Sequence, residues 1–126
     1  MKKGLIILGK QGLLKSLLLT GIPSFSDVNT ISFIDCGQLF QKNYNRDYLV
    51  SRLNSETKTL IINDVPCSFN WDNLLPLFDK ISIGNACNNV SEILLTKVIA
   101  VCNESVSVQD LPIGASFNRR FEIKQL

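Results

Sequence analysis

Four short apolar runs constrain this chain more than any other feature. Residues 5–8, 31–36, 59–62 and 97–102 are each four to six residues long and rich in branched apolar side chains. Runs that short read as buried strands rather than helices. A fifth strand is expected around residues 121–123. The stretches between them leave room for helices and carry helical spacing. In residues 38–54 the apolar positions are Leu39, Phe40, Tyr44, Tyr48, Leu49 and Leu53. In residues 69–78, Ser68 or Asn70 is the candidate cap, and Trp71, Leu74, Leu75 and Phe78 form one face. Pro76 predicts a kink in that helix. Residues 13–19 read as a short helix stopped near Gly21 and Pro23. Residues 81–93 read as a small hairpin, with Ile81 and Ile83 on either side of Ser82 and a turn at Gly84-Asn85. Residues 105–116 are loop-rich. Strands alternating with helices predict a parallel sheet covered on both faces, with any site at the carboxyl ends of its strands.

Composition narrows the function classes. Hydrophobic residues are 45% and charged residues 19% of 126, ordinary globular usage. That length fits a single domain over residues 1–126, without a lid or accessory domain. The 13 Lys and Arg against 11 Asp and Glu leave a net charge of +2. This balance supports neither nucleic acid nor a membrane as partner. The chain has no histidine, which excludes His-based triads, metal sites and proton shuttles. The cysteines at 36, 67, 87 and 102 form no Cys-x-x-Cys pair, so they read mostly as small core residues of a reduced, cytoplasmic protein. No apolar stretch reaches the roughly 20 residues of a membrane span.

The turn leaving the first strand carries the strongest chemical signal. Gly9, Lys10, Gln11, Gly12, Leu13, Leu14, Lys15 and Ser16 follow the phosphate-binding pattern Gly-x-x-x-x-Gly-Lys-Ser/Thr with one departure. Leu14 stands where the second glycine belongs. In such a loop successive backbone N–H groups point inward at the anion, the lysine reaches the outer phosphates and the hydroxyl holds magnesium. Lys15 and Ser16 fill the last two places. Leu14 puts a bulky side chain where backbone must approach the phosphate. If that position needs a left-handed conformation, a non-glycine residue costs about 1–2 kcal/mol there. That weakens binding roughly 5- to 30-fold.

Three later segments extend the pattern. Leu60-Ile61-Ile62-Asn63-Asp64 looks like a Walker B segment, an apolar strand ending in acid that orients magnesium and water. Two alignments fit. Either Asp64 is the magnesium-side aspartate and Val65 replaces the catalytic glutamate, or Asn63 replaces that aspartate and Asp64 takes the second acidic place. The second agrees better with the paired acids usual in such segments. Residues 97–104, ending in Asn103-Glu104, resemble the sensor 1 (motif C) strand of superfamily 3 helicases and related AAA+ ATPases. There a polar residue, often Asn, ends the strand beside the γ-phosphate. Ser116-Phe117-Asn118-Arg119-Arg120-Phe121 resembles the Arg-Arg-Phe segment that follows motif C in the same helicases.

Over residues 5–121, then, the chain resembles the P-loop NTPase core of superfamily 3 helicases and AAA+ ATPases of viruses, plasmids and mobile elements. The resemblance implies an α/β, three-layer fold whose mainly parallel five-stranded sheet has the order 5-1-4-3-2, with helices on both faces. It implies ATP and magnesium as ligands. Residues 9 to 16 would bind the nucleotide and Ser16 and Asp64 the metal. Asn63, Asp64 and Asn103 would take catalytic places, and Arg119 or Arg120 would act on a neighbouring subunit's nucleotide. Residues 82–89 lie where these helicases carry a DNA-contacting hairpin, yet no Lys or Arg occurs between Lys80 and Lys97, which argues against phosphate contact.

Two defects, at Leu14 and in the acidic pair, favour a degenerate P-loop domain with weak or absent nucleotide binding. It would serve as a binding or regulatory module in mobile-element or phage-type replication, with its own copies or a full-length relative as partner. The alternative is an active ATPase or helicase-like core that hydrolyses ATP with magnesium. A third reading is another doubly wound domain, such as a flavodoxin-like one. In that case the first strand would not be flanked by the fourth and fifth.

Overall fold

The computed structural model describes residues 3–9, 30–40, 45–83, 92–103, 105–112 and 114–125. Each apolar run forms a strand. β1 is Gly4–Leu8, β2 Ile31–Asp35, β3 Thr59–Val65, β4 Ile81–Ser82, β5 Glu92–Ile93, β6 Lys97–Cys102 and β7 Phe121–Gln125. Five of them make one sheet in the order β2-β3-β6-β1-β7, and every adjacent pair is parallel. Counting only those five, the order is 5-1-4-3-2. β1 lies between the fourth and fifth strands, which sets the flavodoxin-like arrangement aside. β4 and β5 pair antiparallel, Ser82 with Glu92, within the stretch expected to form a hairpin; the turn expected at Gly84-Asn85 lies outside the described residues.

All five residues of β1 are buried, as in a strand covered on both faces. On one face Ile6, Leu8, Leu60, Ile62, Val98 and Ala100 pack with Leu39, Leu49, Trp71 and Leu74. On the other, Leu5, Ile7, Ile61, Ile99 and Val101 form a second buried cluster with Ile31 against it. Both faces of the sheet are buried, which is consistent with the three-layer arrangement expected.

Two helical expectations are corrected. The single helix expected over residues 38–54 is broken into α1 (Cys36–Leu39) and α2 (Arg46–Arg52). Side-chain caps set these boundaries. Asp35 Oδ1 accepts from Gly37 N–H at 2.8 Å, which starts α1 at Cys36 and ends β2 one residue early. Asn45 Oδ1 accepts from Tyr48 N–H at 3.1 Å and starts α2. Leu39, Leu49 and Leu53 are buried as expected, whereas Tyr44 lies outside the described residues. The helix expected over residues 69–78 is a 3₁₀ helix, Trp71–Phe78, capped by Asn70. Its buried residues are Trp71, Leu74 and Leu77, a period of three, and Leu75 is 38% exposed. Pro76 has no N–H to donate, and the helix that contains it is the tighter 3₁₀ form. The helix expected over residues 13–19 lies outside the described residues. The loop-rich stretch ends in α3, Ala115–Arg120, which runs directly into β7.

An aromatic seam fastens these elements to the sheet. Phe40 meets Phe69 at 5.3 Å and Phe69 meets Trp71 at 5.2 Å between ring centroids. Trp71 reaches Phe117 and Phe121, each at 6.1 Å. Phe121 also meets Phe78 at 5.3 Å, and Lys3 Nζ donates to the Phe78 carbonyl at 2.9 Å. Phe40 and Tyr48 pack against the core. Among the described residues no helix is long and apolar enough to cross a membrane.

Candidate functional site

In a parallel sheet all carboxyl ends lie along one edge, so the polar residues that end the strands share it. Here these are Gly9 after β1, Asp35 at the end of β2, Asn63 and Asp64 in β3, and Asn103 after β6. Gly9 has φ 137°, a conformation favouring glycine, and turns the chain sharply off β1. Lys10, Gln11, Gly12, Leu13, Leu14, Lys15 and Ser16 lie outside the described residues.

Asp64 and Asn103 are brought together by a bulge. Ile62 pairs with Ala100, but the next pair is Val65 with Cys102, so β3 spends one residue more than β6. Within that bulge Asp64 has φ 62°, left-handed for a non-glycine residue. Asp is one of the few residues that tolerate this, at a cost of about 1 kcal/mol. Strain of this kind gathers at functional sites. The bulge turns the Asp64 side chain out to the exposed edge, where Asn103 Nδ2 donates to its Oδ1 at 3.1 Å. Asn103 is itself fixed twice. Its N–H donates to the Val65 carbonyl at 2.8 Å, and its Oδ1 accepts from Ser105 N–H at 3.0 Å. Because the oxygen is engaged by Ser105, the amide nitrogen is the group that faces Asp64. Asn63 lies one strand-width from Asp35, with which it is level, and is half-buried.

Sequence reasoning named Asn63, Asp64 and Asn103 but had no signal for the bulge. It also missed Cys36 as a neighbour. Burial pushes the Cys36 thiol up to about 12, with the Asp35 and Asp64 carboxylates adding to the effect. Cys102, ending β6, is likewise pushed up to about 12 by burial, with Cys36 adding. These two are the inert core cysteines the composition suggested. Cys67 departs from that expectation, being exposed, and Cys87 lies outside the described residues. Thiolates are the reactive form. Alkylation of the native protein at pH 8 is therefore expected to label Cys67 long before Cys36 or Cys102, as peptide mass mapping would show. Equal labelling of all three would mean that the strand ends are open to solvent.

Arg119 and Arg120 lie at the other end of the sheet. They close α3 just before Phe121, which is level with Gly4 at the start of β1. A five-residue strand spans about 16 Å, so neither arginine shares the edge that Asp64 and Asn103 occupy in the same chain. Both fold back on their own helix. Arg119 Nε donates to the Ala115 carbonyl at 3.4 Å and Arg120 Nη1 to the Ser116 carbonyl at 3.0 Å. Among the described residues no cluster of three or more His, Cys, Asp or Glu could hold a metal ion. A single carboxylate such as Asp64 suits magnesium only when phosphate oxygens supply further ligands.

No family model matches the chain, and no curated protein matches it. Among solved structures it is similar to the A-form apo structure of the NrS-1 C-terminal region, with a TM-score of 0.53 at 19% identity. That match covers 98% of this chain and 29% of the other, so the chain spans under a third of the structure it resembles. At such identity the likeness concerns the fold. It agrees with the parallel five-stranded α/β sheet described above.

Proposed function

We propose that this chain is a degenerate P-loop NTPase-like domain that binds nucleotide weakly or not at all and works as a binding or regulatory module. The observation that carries the reading is the Asn103–Asp64 hydrogen bond at the carboxyl edge, held by a strained bulge one strand away from β1. A polar residue from the fourth strand touching an acid from the third, near the carboxyl end of the first, supports a site where the acid would hold magnesium and the amide would face a phosphate. Residues 9 to 16 would hold the phosphates, and Ser16 with Asp64 the magnesium. Magnesium would supply charge neutralisation between phosphate oxygens. The sequence supports loss of strength in this site, because Leu14 crowds the loop and one acid of the usual pair is absent. Arg119 and Arg120 lie away from the Asp64 edge of their own chain, so in this reading any action on a nucleotide would be on a neighbouring subunit's. The resemblance to superfamily 3 helicases suggests a replication setting in a phage or mobile element, with a full-length relative or further copies as partner.

Thermal unfolding with millimolar ATP and magnesium tests this. The wild type is expected to shift little. Leu14→Gly is expected to shift by several degrees, since ligand at 100 times its dissociation constant adds about 2.7 kcal/mol. Adding Lys15→Ala to that variant removes the shift. A large wild-type shift lost in Lys15→Ala, with steady phosphate release abolished by Asp64→Ala, would establish the active ATPase instead. No shift in Leu14→Gly would remove the P-loop reading altogether.

A further inference from the structure

The two outer edges of the sheet are finished differently. The β2 edge is blunted by α2: Arg52 Nε donates to the Phe33 carbonyl at 3.1 Å, and Asp35 N–H donates to Tyr48 Oη at 3.0 Å. Among the described residues the β7 edge has no such cover. Glu122, Ile123, Lys124 and Gln125 are all exposed, Ile123 by 40%. No described side chain hydrogen-bonds their backbone.

The direction of the β7 backbone follows from its neighbours. Lys3 C=O accepts from Val98 N–H at 3.0 Å, so odd-numbered β1 groups face β6 and even-numbered ones face β7. Ile6 is level with Ile123. The parallel pattern then turns the backbone of Glu122 and Lys124 toward β1, and that of Ile123 and Gln125 outward. The Phe121 carbonyl also points outward, while its N–H is held by the Phe117 carbonyl in α3.

We propose that β7 pairs antiparallel with β7 of a second copy about a two-fold axis at Ile123, joining two sheets into one. Ile123 then exchanges both backbone hydrogen bonds with the partner's Ile123, and Gln125 N–H donates to the partner's Phe121 carbonyl. Glu122 and Lys124 flank the axis and lie opposite the partner's Lys124 and Glu122. These are non-hydrogen-bonded pairs, where opposing side chains come closest. The sequence Phe121-Glu122-Ile123-Lys124-Gln125 is thus complementary to itself in charge. The register is specific. Slipping the pairing by two residues either way sets Glu122 against the partner's Glu122 or Lys124 against the partner's Lys124. Slipping by one sets an outward backbone group against an inward one. This inference goes beyond the nucleotide reading and uses none of its residues, so each stands or falls separately.

Sedimentation of the full chain from low micromolar to several hundred micromolar tests it. The wild type is expected to pass from monomer to dimer, less readily as salt is raised. Glu122→Lys and Lys124→Glu each set like charges across the axis twice, and each is expected to raise the dissociation constant about tenfold or more. An equimolar mixture of the two regains association, because each chain offers the charge the other lacks. The double variant Glu122→Lys/Lys124→Glu regains it alone. Ile123→Pro removes an outward N–H that the sheet itself does not use, and abolishes the dimer while leaving the circular dichroism melt cooperative. A wild type that stays monomeric throughout overturns the proposal. So does a dimer that survives both single charge reversals, or one that the mixture does not restore.

Discussion

Trp71→Ala is expected to cost about 3–5 kcal/mol of folding free energy. Trp71 is 5% exposed and stands where the 3₁₀ helix meets α3 and β7. Its ring meets Phe69 edge-on at 5.2 Å and reaches Phe117 and Phe121 at 6.1 Å each. Truncation removes all three contacts. The gap cannot close easily, because a cleft of about 180 Å³ lined by Trp71, Leu75, Phe117 and Arg120 already lies beside the indole. Without the ring, that cleft opens onto the core and admits water. For a domain of 5–15 kcal/mol total stability the loss is severe. Scaling between the small and larger size classes, the melting temperature falls by about 10–25 °C. The urea midpoint should fall with an unchanged slope if the native state stays compact. Because this is the chain's one tryptophan, unfolding is best followed by circular dichroism. Trp71→Phe keeps an edge-on partner for Phe69 and should lose well under half as much. A Trp71→Ala variant within about 1 kcal/mol of wild type would show that the aromatic seam does not fasten the helix to the sheet.

The sheet was legible in the sequence because its signal is local. Runs such as residues 59–62 and 97–102 have the length and branching of buried strands, and the motif order fixed their sequence across the sheet. The helices were less legible for reasons of side-chain chemistry. Leu39, Leu49 and Leu53 keep helical spacing across a break that the Asn45 cap imposes, so periodicity alone joined two helices into one. A period of 3.6 puts Leu75 on the buried face, but the helix containing Pro76 is the tighter 3₁₀ form and its buried period is three. At the site, Asp64 and Asn103 could be named from strand-end position and motif order. Their contact could not, since it depends on one extra residue in β3 against β6, a matter of pairing between distant segments. Arg119 and Arg120 show the same limit. Their place in the motif order says nothing about which edge they occupy, and that follows only from Phe121 lying level with Gly4.

That level pairing also leaves no room for a side chain at Gly4. Gly4→Ala is expected to destabilise the fold by about 1–2 kcal/mol, opposite in sign to the usual gain from removing a strand glycine. The gain, about 0.4–1 kcal/mol, comes from a stiffer unfolded chain. Against it stands a collision. A Cβ at Gly4 would lie 2.5 Å from Phe121 Cδ1, 2.7 Å from its Cε1 and 2.8 Å from the Arg120 carbonyl oxygen. Overpacking of this kind costs about 1–3 kcal/mol when neighbours must move. Phe121 has little room to do so, stacked on Phe117 at 4.9 Å and edge-on to Phe78 at 5.3 Å. The Arg120 oxygen is backbone and moves only with the junction of α3 and β7. Gly4→Val should cost more than Gly4→Ala for the same reason. The cause can be isolated by a double-mutant cycle in urea. Phe121→Leu loses ring contacts but clears space over Gly4, so Gly4→Ala/Phe121→Leu should be less destabilised than the sum of the single variants. Strict additivity, or a Gly4→Ala variant more stable than wild type, would show that the ring yields and that glycine is not needed to seat the last strand.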